Sequence, residues 1–175
     1  MEKTIKIVLI VIFGVLFFVG LEKVIDRKLN SFKSESTNII TLKERERQLD
    51  CLTRNIYYEA ATEPFEGKVG VAQVTLNRAE SEKFPNDICR VVYQKNTFYD
   101  KVVCQFSWYC KTKSLTKPIN TVHFKESESV AKKVLLEGFR LDSLKEALYY
   151  HADYVNPGWK KERIIKIGRH IFYKG

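Results

Sequence analysis

The sequence predicts an α+β domain, helices first and a small antiparallel sheet last, preceded by one N-terminal transmembrane helix. Three observations carry this. Ile7–Leu21 is an unbroken apolar run of fifteen residues. The middle of the chain shows apolar positions at helical spacing, and its end is rich in Tyr, Ile and Phe between turn signals. The 175 residues suit one domain of ordinary size plus an appendage. With 45% hydrophobic and 29% charged residues, a largely disordered or collagen-like chain is excluded.

The N-terminal run reads IVLIVIFGVLFFVGL, with Ile5 before it and Val24–Ile25 after it. A helix from Ile5 to Ile25 would extend about 30 Å, enough to span a bilayer. A cleaved signal peptide needs small residues at its exit, and Phe18-Val19-Gly20-Leu21-Glu22 offers a poor site. A buried core helix would show a polar stripe, and none interrupts the run. A signal anchor is therefore expected. Lys3 and Lys6 stand in front and Lys23, Arg27 and Lys28 behind, so basic flanks alone do not orient it. Cys51, Cys89, Cys104 and Cys110, an even number behind an export signal, read as a disulfide framework with three possible pairings. That places the remainder outside the cytoplasm. The expected organisation is a cytoplasmic stub and anchor over 1–28, a Ser/Thr/Asn-rich linker over 29–42 and a globular domain over 43–175. No metal site is expected, because no C-x-x-C occurs and Cys104 and Cys110 are separated by five residues. No cofactor is expected either.

Within the domain, KERERQ at Lys43–Gln48 leads into a helix whose one face carries Leu52, Ile56, Glu59, Ala60 and Glu63. Pro64 and Gly67 break it. A second helix is expected from Glu66 to Ala79, a turn at Phe84–Asp87, a short apolar piece at Ile88–Tyr93 and a polar loop at Gln94–Lys101. Ser127 or Ser129 would cap a third helix running to Gly138. Ala147–His151 and Ile164–Tyr173 would be extended, with a turn at Asn156-Pro157-Gly158 between them.

The chain is basic, +9 overall, and from Lys101 onward it holds 15 basic and 7 acidic residues. An anionic partner or a merely solvated surface fits this equally. A nucleic-acid binder is suggested by charge alone, and no nucleic-acid motif accompanies it.

Glu59 is the anomaly on the first helix, a carboxylate on an apolar stripe beside Tyr57, Tyr58 and Ala60. Desolvation there raises a carboxyl pKa and favours the proton-carrying form, the equipment of a general acid. The plain alternative is an exposed, idle Glu near a helix end.

The stretch Asn55–Arg78, NIYYEAATEPFEGKVGVAQVTLNR, resembles the opening of the spore-cortex-lytic type of cell wall hydrolase, roughly I-Y-x-E-A-R-G-E-P-x-E-G-x-x-A-V-A-x-V-x-L-N-R. The resemblance continues through Phe84–Cys89, Val91–Gln94 and Cys104–Trp108. It ends with Tyr150-His151-Ala152, Pro157, Trp159 and Ile167–Tyr173. Two departures stand out. The family's Arg-Gly is Ala61-Thr62 here, and its acidic-glycine pair is Lys111-Thr112.

The resemblance implies a fold related to lysozyme-like lytic transglycosylases and one catalytic glutamate, which maps onto Glu59. It also implies cleavage of the N-acetylmuramic acid–N-acetylglucosamine bond of peptidoglycan, leaving a 1,6-anhydro end. Peptidoglycan strands and, through the anchor, the membrane are then the expected partners. A hydrolytic muramidase and an inactive peptidoglycan-binding module are the alternatives.

Gln105 and Ser107 alternate with Phe106 and Trp108, as on a strand or loop lining a groove. Gln105 would bond sugar amides and Trp108 would stack on a ring, although one of the two aromatics belongs to the core. Tyr150 and His151 are placed beside the groove by the resemblance. His170 and Asn77-Arg78 read as structural. Glu63, one helical turn from Glu59, is the candidate second carboxylate.

Overall fold

The computed structural model describes residues 14, 17–29, 41–111 and 115–175. The chain divides into two compact units, Met1–Leu42 and Lys43–Gly175. In the first, residues 17–29 are helical and exposed. Among the described residues, no helix is long and apolar enough to cross a membrane. Most of the expected span, from Ile5 onward, and all but the edges of the expected linker lie outside the described residues.

Helix α1, Leu42–Ala60, lies in the second unit from its second residue onward and turns Leu52, Ile56 and Ala60 inward. After a tight turn, α2 runs from Phe65 to Glu80 and is buried almost continuously from Gly67 to Thr75. A helix buried on several sides needs partners on several sides. Val69, Ala72 and Leu76 join the main cluster with α1. Val74 packs in a second cluster with Leu144, Ala147 and Phe172. Gly70 permits that second contact, because a Cβ there would collide with the Phe172 ring.

A short helix, α3, follows at Ile88–Val92, capped by the Asp87 side chain accepting from the Arg90 amide. The span expected as a polar loop is instead a hairpin of β1, Lys95–Phe98, and β2, Lys101–Cys104. Its turn places Tyr99 and Asp100 at φ +44° and +65°. Two consecutive left-handed residues normally advertise themselves as Asn-Gly or Asp-Gly. Tyr-Asp carries no such signal, so the hairpin was hidden.

Ser107–Cys110 forms a single helical turn, α4, where an alternating strand or loop was expected. The long helix α5 is Thr121–Leu135. Its cap is Asn120, whose carbonyl oxygen accepts from the Val122 and His123 amides, and not Ser127 or Ser129. Ser127 lies inside the helix and bonds back to the His123 carbonyl, four residues earlier.

The chain ends in a three-stranded antiparallel sheet of β3, Ala147–Ala152, β4, Arg163–Ile167, and β5, His170–Lys174, in the order β3-β5-β4. The expected extended span at 164–173 is thus two strands folded about a turn at Gly168-Arg169. Gly168 takes φ +56°, and a Cβ there would overlap the Glu63 carboxylate.

Two disulfides close the framework, Cys51–Cys89 joining α1 to α3 and Cys104–Cys110 spanning α4. No cysteine is free.

Candidate active site

A cleft of about 570 Å³ opens where the end of α1, the α4 turn and the β3 edge of the sheet meet. Tyr58 and Glu59 reach it from α1 and Arg78 from α2. Gln105 to Trp108 come from the disulfide-closed turn, Tyr149 to Ala152 from β3, and Trp159 from the following loop. Each expected groove residue, Gln105, Ser107, Trp108, Tyr150 and His151, lines this cleft. Glu59 is the one Asp or Glu on its wall among the described residues.

Glu59 occupies the last turn of α1 and is half-buried. Burial pushes its carboxyl above the usual range, against the Tyr150 hydrogen bond and the charges of Arg78 and Lys111. The Tyr150 hydroxyl donates to Glu59 Oε2 at 3.2 Å. Burial and the neighbouring Glu59 hold that phenol well above its ordinary pKa, so it remains a donor. Tyr150 is in turn fixed by an edge-on contact with His170, ring centroids 5.0 Å apart. A carboxyl that desolvation holds toward its protonated form, aimed into a cleft and steadied by a neutral donor, is arranged for general acid chemistry.

Glu63 is not beside Glu59. Helix α1 ends at Ala60, and the Glu63 amide turns back to the Ala60 carbonyl. The expectation that both carboxylates share one helix face is therefore corrected. Pro64, Thr62 and Ala61 stop the helix one residue after Glu59. Glu63 is 9% exposed, and its Oε2 accepts from the Arg169 amide at 2.8 Å, beneath the β4–β5 turn. It braces the sheet and does not line the cleft.

Trp108 is also repositioned. It is 5% exposed, its indole Nε1 donates to the buried Asn55 Oδ1 at 3.1 Å, and its ring stacks on Tyr58 at 4.4 Å. Phe106 is equally buried, so both aromatics belong to the core even though both line the cleft. Two aromatics of the cleft are open to a ligand, Tyr154, 75% exposed, and Trp159, 42% exposed and set among Tyr149, His151 and Tyr173. Helical or strand periodicity offers no signal for Trp159, because it sits in an irregular loop. His151 has both ring nitrogens engaged, Nδ1 with the Ala152 carbonyl and Nε2 with the Tyr173 hydroxyl, each at 2.8 Å. It can offer a ligand its ring and not a nitrogen.

Arg78, expected to be scaffolding, also lines the cleft. A buried arginine close to a catalytic-type carboxyl shows no periodic signature, which is why sequence reasoning passed over it. Among the described residues, no group of three or more His, Cys, Asp or Glu side chains is placed to hold a metal ion.

Residues 62–173 match the Cell Wall Hydrolase family, and the chain belongs to it. Glu59 lies just before the matched span. The chain is 30% identical over 129 residues to the spore cortex-lytic enzyme of Bacillus subtilis strain 168, covering 69% of this chain and 35% of that protein. It is 28% identical over 137 residues to the spore cortex-lytic enzyme of Bacillus cereus, covering 74% and 45%. The chain thus spans less than half of either relative.

Among solved structures, it is similar to the catalytic domain of the germination-specific lytic transglycosylase SleB from Bacillus anthracis. The TM-score is 0.55 at 25% identity, over 73% of this chain and 93% of that one. The catalytic domain of the Bacillus cereus SleB protein gives 0.53 at 25% identity, over 78% and 94%. The α+β architecture, helices with small antiparallel sheets, is that of the SleB catalytic domain.

Proposed function

We propose that the chain cleaves the N-acetylmuramic acid–N-acetylglucosamine bond of peptidoglycan as a lytic transglycosylase, with Glu59 as the one acid and base. The observation that carries this reading is the solitary acidic side chain in the cleft, desolvated and bonded to Tyr150. Its proton passes to the glycosidic oxygen as the bond to the anomeric carbon breaks. The Glu59 carboxylate then takes the proton of the muramic acid 6-hydroxyl while that oxygen bonds the anomeric carbon. The proton count closes, Glu59 is restored and no water is consumed.

Schemes with two carboxylates need the second across the sugar, about 5–5.5 Å away for a nucleophile or about 6.5–9.5 Å for a base that activates water. Glu63, tied to the Arg169 amide, is not available for either role. The likeness to the SleB catalytic domains supports the same reaction. Trp159 supplies an open ring face for a sugar, and Gln105 and Ser107 supply polar groups along the wall.

The N-terminal run is proposed to hold the enzyme at a membrane, with the catalytic unit outside the cytoplasm. The two disulfides suit that compartment.

Mass spectrometry of muropeptides released from purified walls tests the chemistry. The expected main products are 1,6-anhydromuramic ends. Reducing ends as the main product would replace the proposal with a hydrolytic muramidase, and no released product would replace it with a binding module. N-terminal sequencing of protein recovered from membranes should begin at or near Met1, whereas a start near residue 22 would show a secreted enzyme.

A further inference from the structure

Arg78 is 3% exposed, yet among the described residues no carboxylate forms an ion pair with it. Buried arginines are rare and normally paired. Its Nε donates to the Leu148 carbonyl at 2.7 Å, and its guanidinium lies over the rings of Phe84, Phe106 and Tyr149 at 5.2–5.9 Å. Nη1 is buried without a partner, although the side chain lines the cleft that Glu59 floors. Three rings and one carbonyl hold the cation in place but do not neutralise it.

A single carboxyl that serves as acid and then as base must be tolerable in both charge states. Desolvation favours the first state and opposes the second. Tyr150 offers one hydrogen bond, and Lys111 is exposed and screened by solvent. His170, from β5, packs on the Tyr150 ring, and His151 has both nitrogens engaged. Among the described residues, Arg78 is therefore the one desolvated full charge that shares the cleft with the carboxyl and acts on it.

We propose that Arg78 is a positioning residue for Glu59, the buried counter-charge that receives the Glu59 carboxylate once its proton has left for the glycosidic oxygen. The proposal rests on the reading of Glu59 as the acid and base. Arg78 does not touch the reacting atoms. It lowers the barrier to bond cleavage by stabilising the anion that cleavage creates, with the guanidinium already fixed before substrate arrives.

The test combines pH–rate profiles with a ¹³C carboxyl titration of Glu59 in the whole chain. Removing the cation leaves the carboxylate less stable, so the Glu59 midpoint must rise. Since activity requires the protonated form, the high-pH limit of activity must rise with it. Arg78→Met is expected to lower kcat about ten- to a hundredfold with KM little changed, and to move both midpoint and limit up by about one pH unit.

Arg78→Lys keeps the charge and should leave the midpoint near that of the wild type. A folded Arg78→Met with an unmoved midpoint overturns the proposal, because a purely structural role alters rate or stability and not the titration. If Arg78→Met does not fold, Arg78→Gln retains a donor for Leu148 and is read the same way. If neither folds, a midpoint more than about one unit above wild type in Arg78→Lys overturns it. The titration also separates this proposal from the functional reading. An active Glu59→Gln would remove Glu59 as the acid, while the midpoint shift would still report the Arg78–Glu59 coupling.

Discussion

Glu59 and Glu63 are four residues apart in one acidic stretch, and the fold gives them opposite tasks. Glu59, on the last turn of α1, keeps its carboxyl in a cleft where one phenol and one unpaired guanidinium face it. Glu63, past the helix end, accepts a backbone amide from a turn more than a hundred residues later. The first carboxyl is incompletely satisfied and held toward its protonated form, which makes it reactive. The second is anchored to the scaffold, which makes it inert. Chemistry in this molecule goes with unfinished solvation and not with acidity as such.

The widest way to break that contrast is Glu59→Gln. The swap keeps size and removes the transferable proton, so muropeptide release should fall by about three orders of magnitude or more. Activity within about tenfold of wild type would show that Glu59 is no more special than Glu63.

The second break lies under Glu63. In Gly168→Ala, the added methyl would overlap the Glu63 carboxylate, and φ +56° disfavours any residue but glycine. Both faults act on the β4–β5 turn. The expected loss is about 2–4 kcal/mol in denaturant unfolding, with the activity of the remaining folded protein largely kept. A stability change within about 0.5 kcal/mol would mean that Glu63 does not brace the turn.

Glu63 itself sharpens the contrast. Glu63→Ala leaves the Arg169 amide without its acceptor and should cost about 1–3 kcal/mol. Glu63→Gln keeps an acceptor oxygen, so it should cost less and retain at least about a tenth of the activity. A folded but inactive Glu63→Gln would move Glu63 into the chemistry and overturn the comparison.

These two residues also show what was legible in the sequence. Glu59 stood out because a helix imposes a period that a carboxylate on the apolar stripe violates, and the resemblance to spore-cortex-lytic enzymes is what made it the expected acid. Glu63 was placed on the same face by extending that period past Ala60, where the helix has already ended ahead of Pro64. The α2 span and the C-terminal strands were legible for the same periodic reason, and the resemblance to spore-cortex-lytic enzymes tied them into one domain. The β1–β2 hairpin was not, since Tyr99 and Asp100 adopt left-handed conformations that their types do not announce. Arg78 and Trp159 were missed as cleft residues because their position is set by packing between distant segments. The buried side of Trp108 was missed likewise, since its partner Asn55 lies 53 residues earlier.

The smallest expected effect reads Glu59 through stability. In the unfolded chain, Glu59 ionises in the ordinary glutamate range, about 4.3. In the fold, desolvation keeps the proton to higher pH. Between those two values the native state binds more protons than the unfolded state, so this group's contribution to stability falls as pH rises through the window and is constant above it. Glutamine has no proton to lose and is indifferent to this window. Glu59→Gln should therefore match wild type near pH 4 and become progressively more stable than it toward neutrality, by roughly 1.4 kcal/mol for each unit separating the two pKa values. Urea unfolding of wild type and Glu59→Gln at intervals between pH 4 and pH 8 measures the two curves. A Glu59→Gln curve parallel to wild type throughout would mean that the carboxyl is not desolvated, and the physical distinction between the two glutamates would be lost.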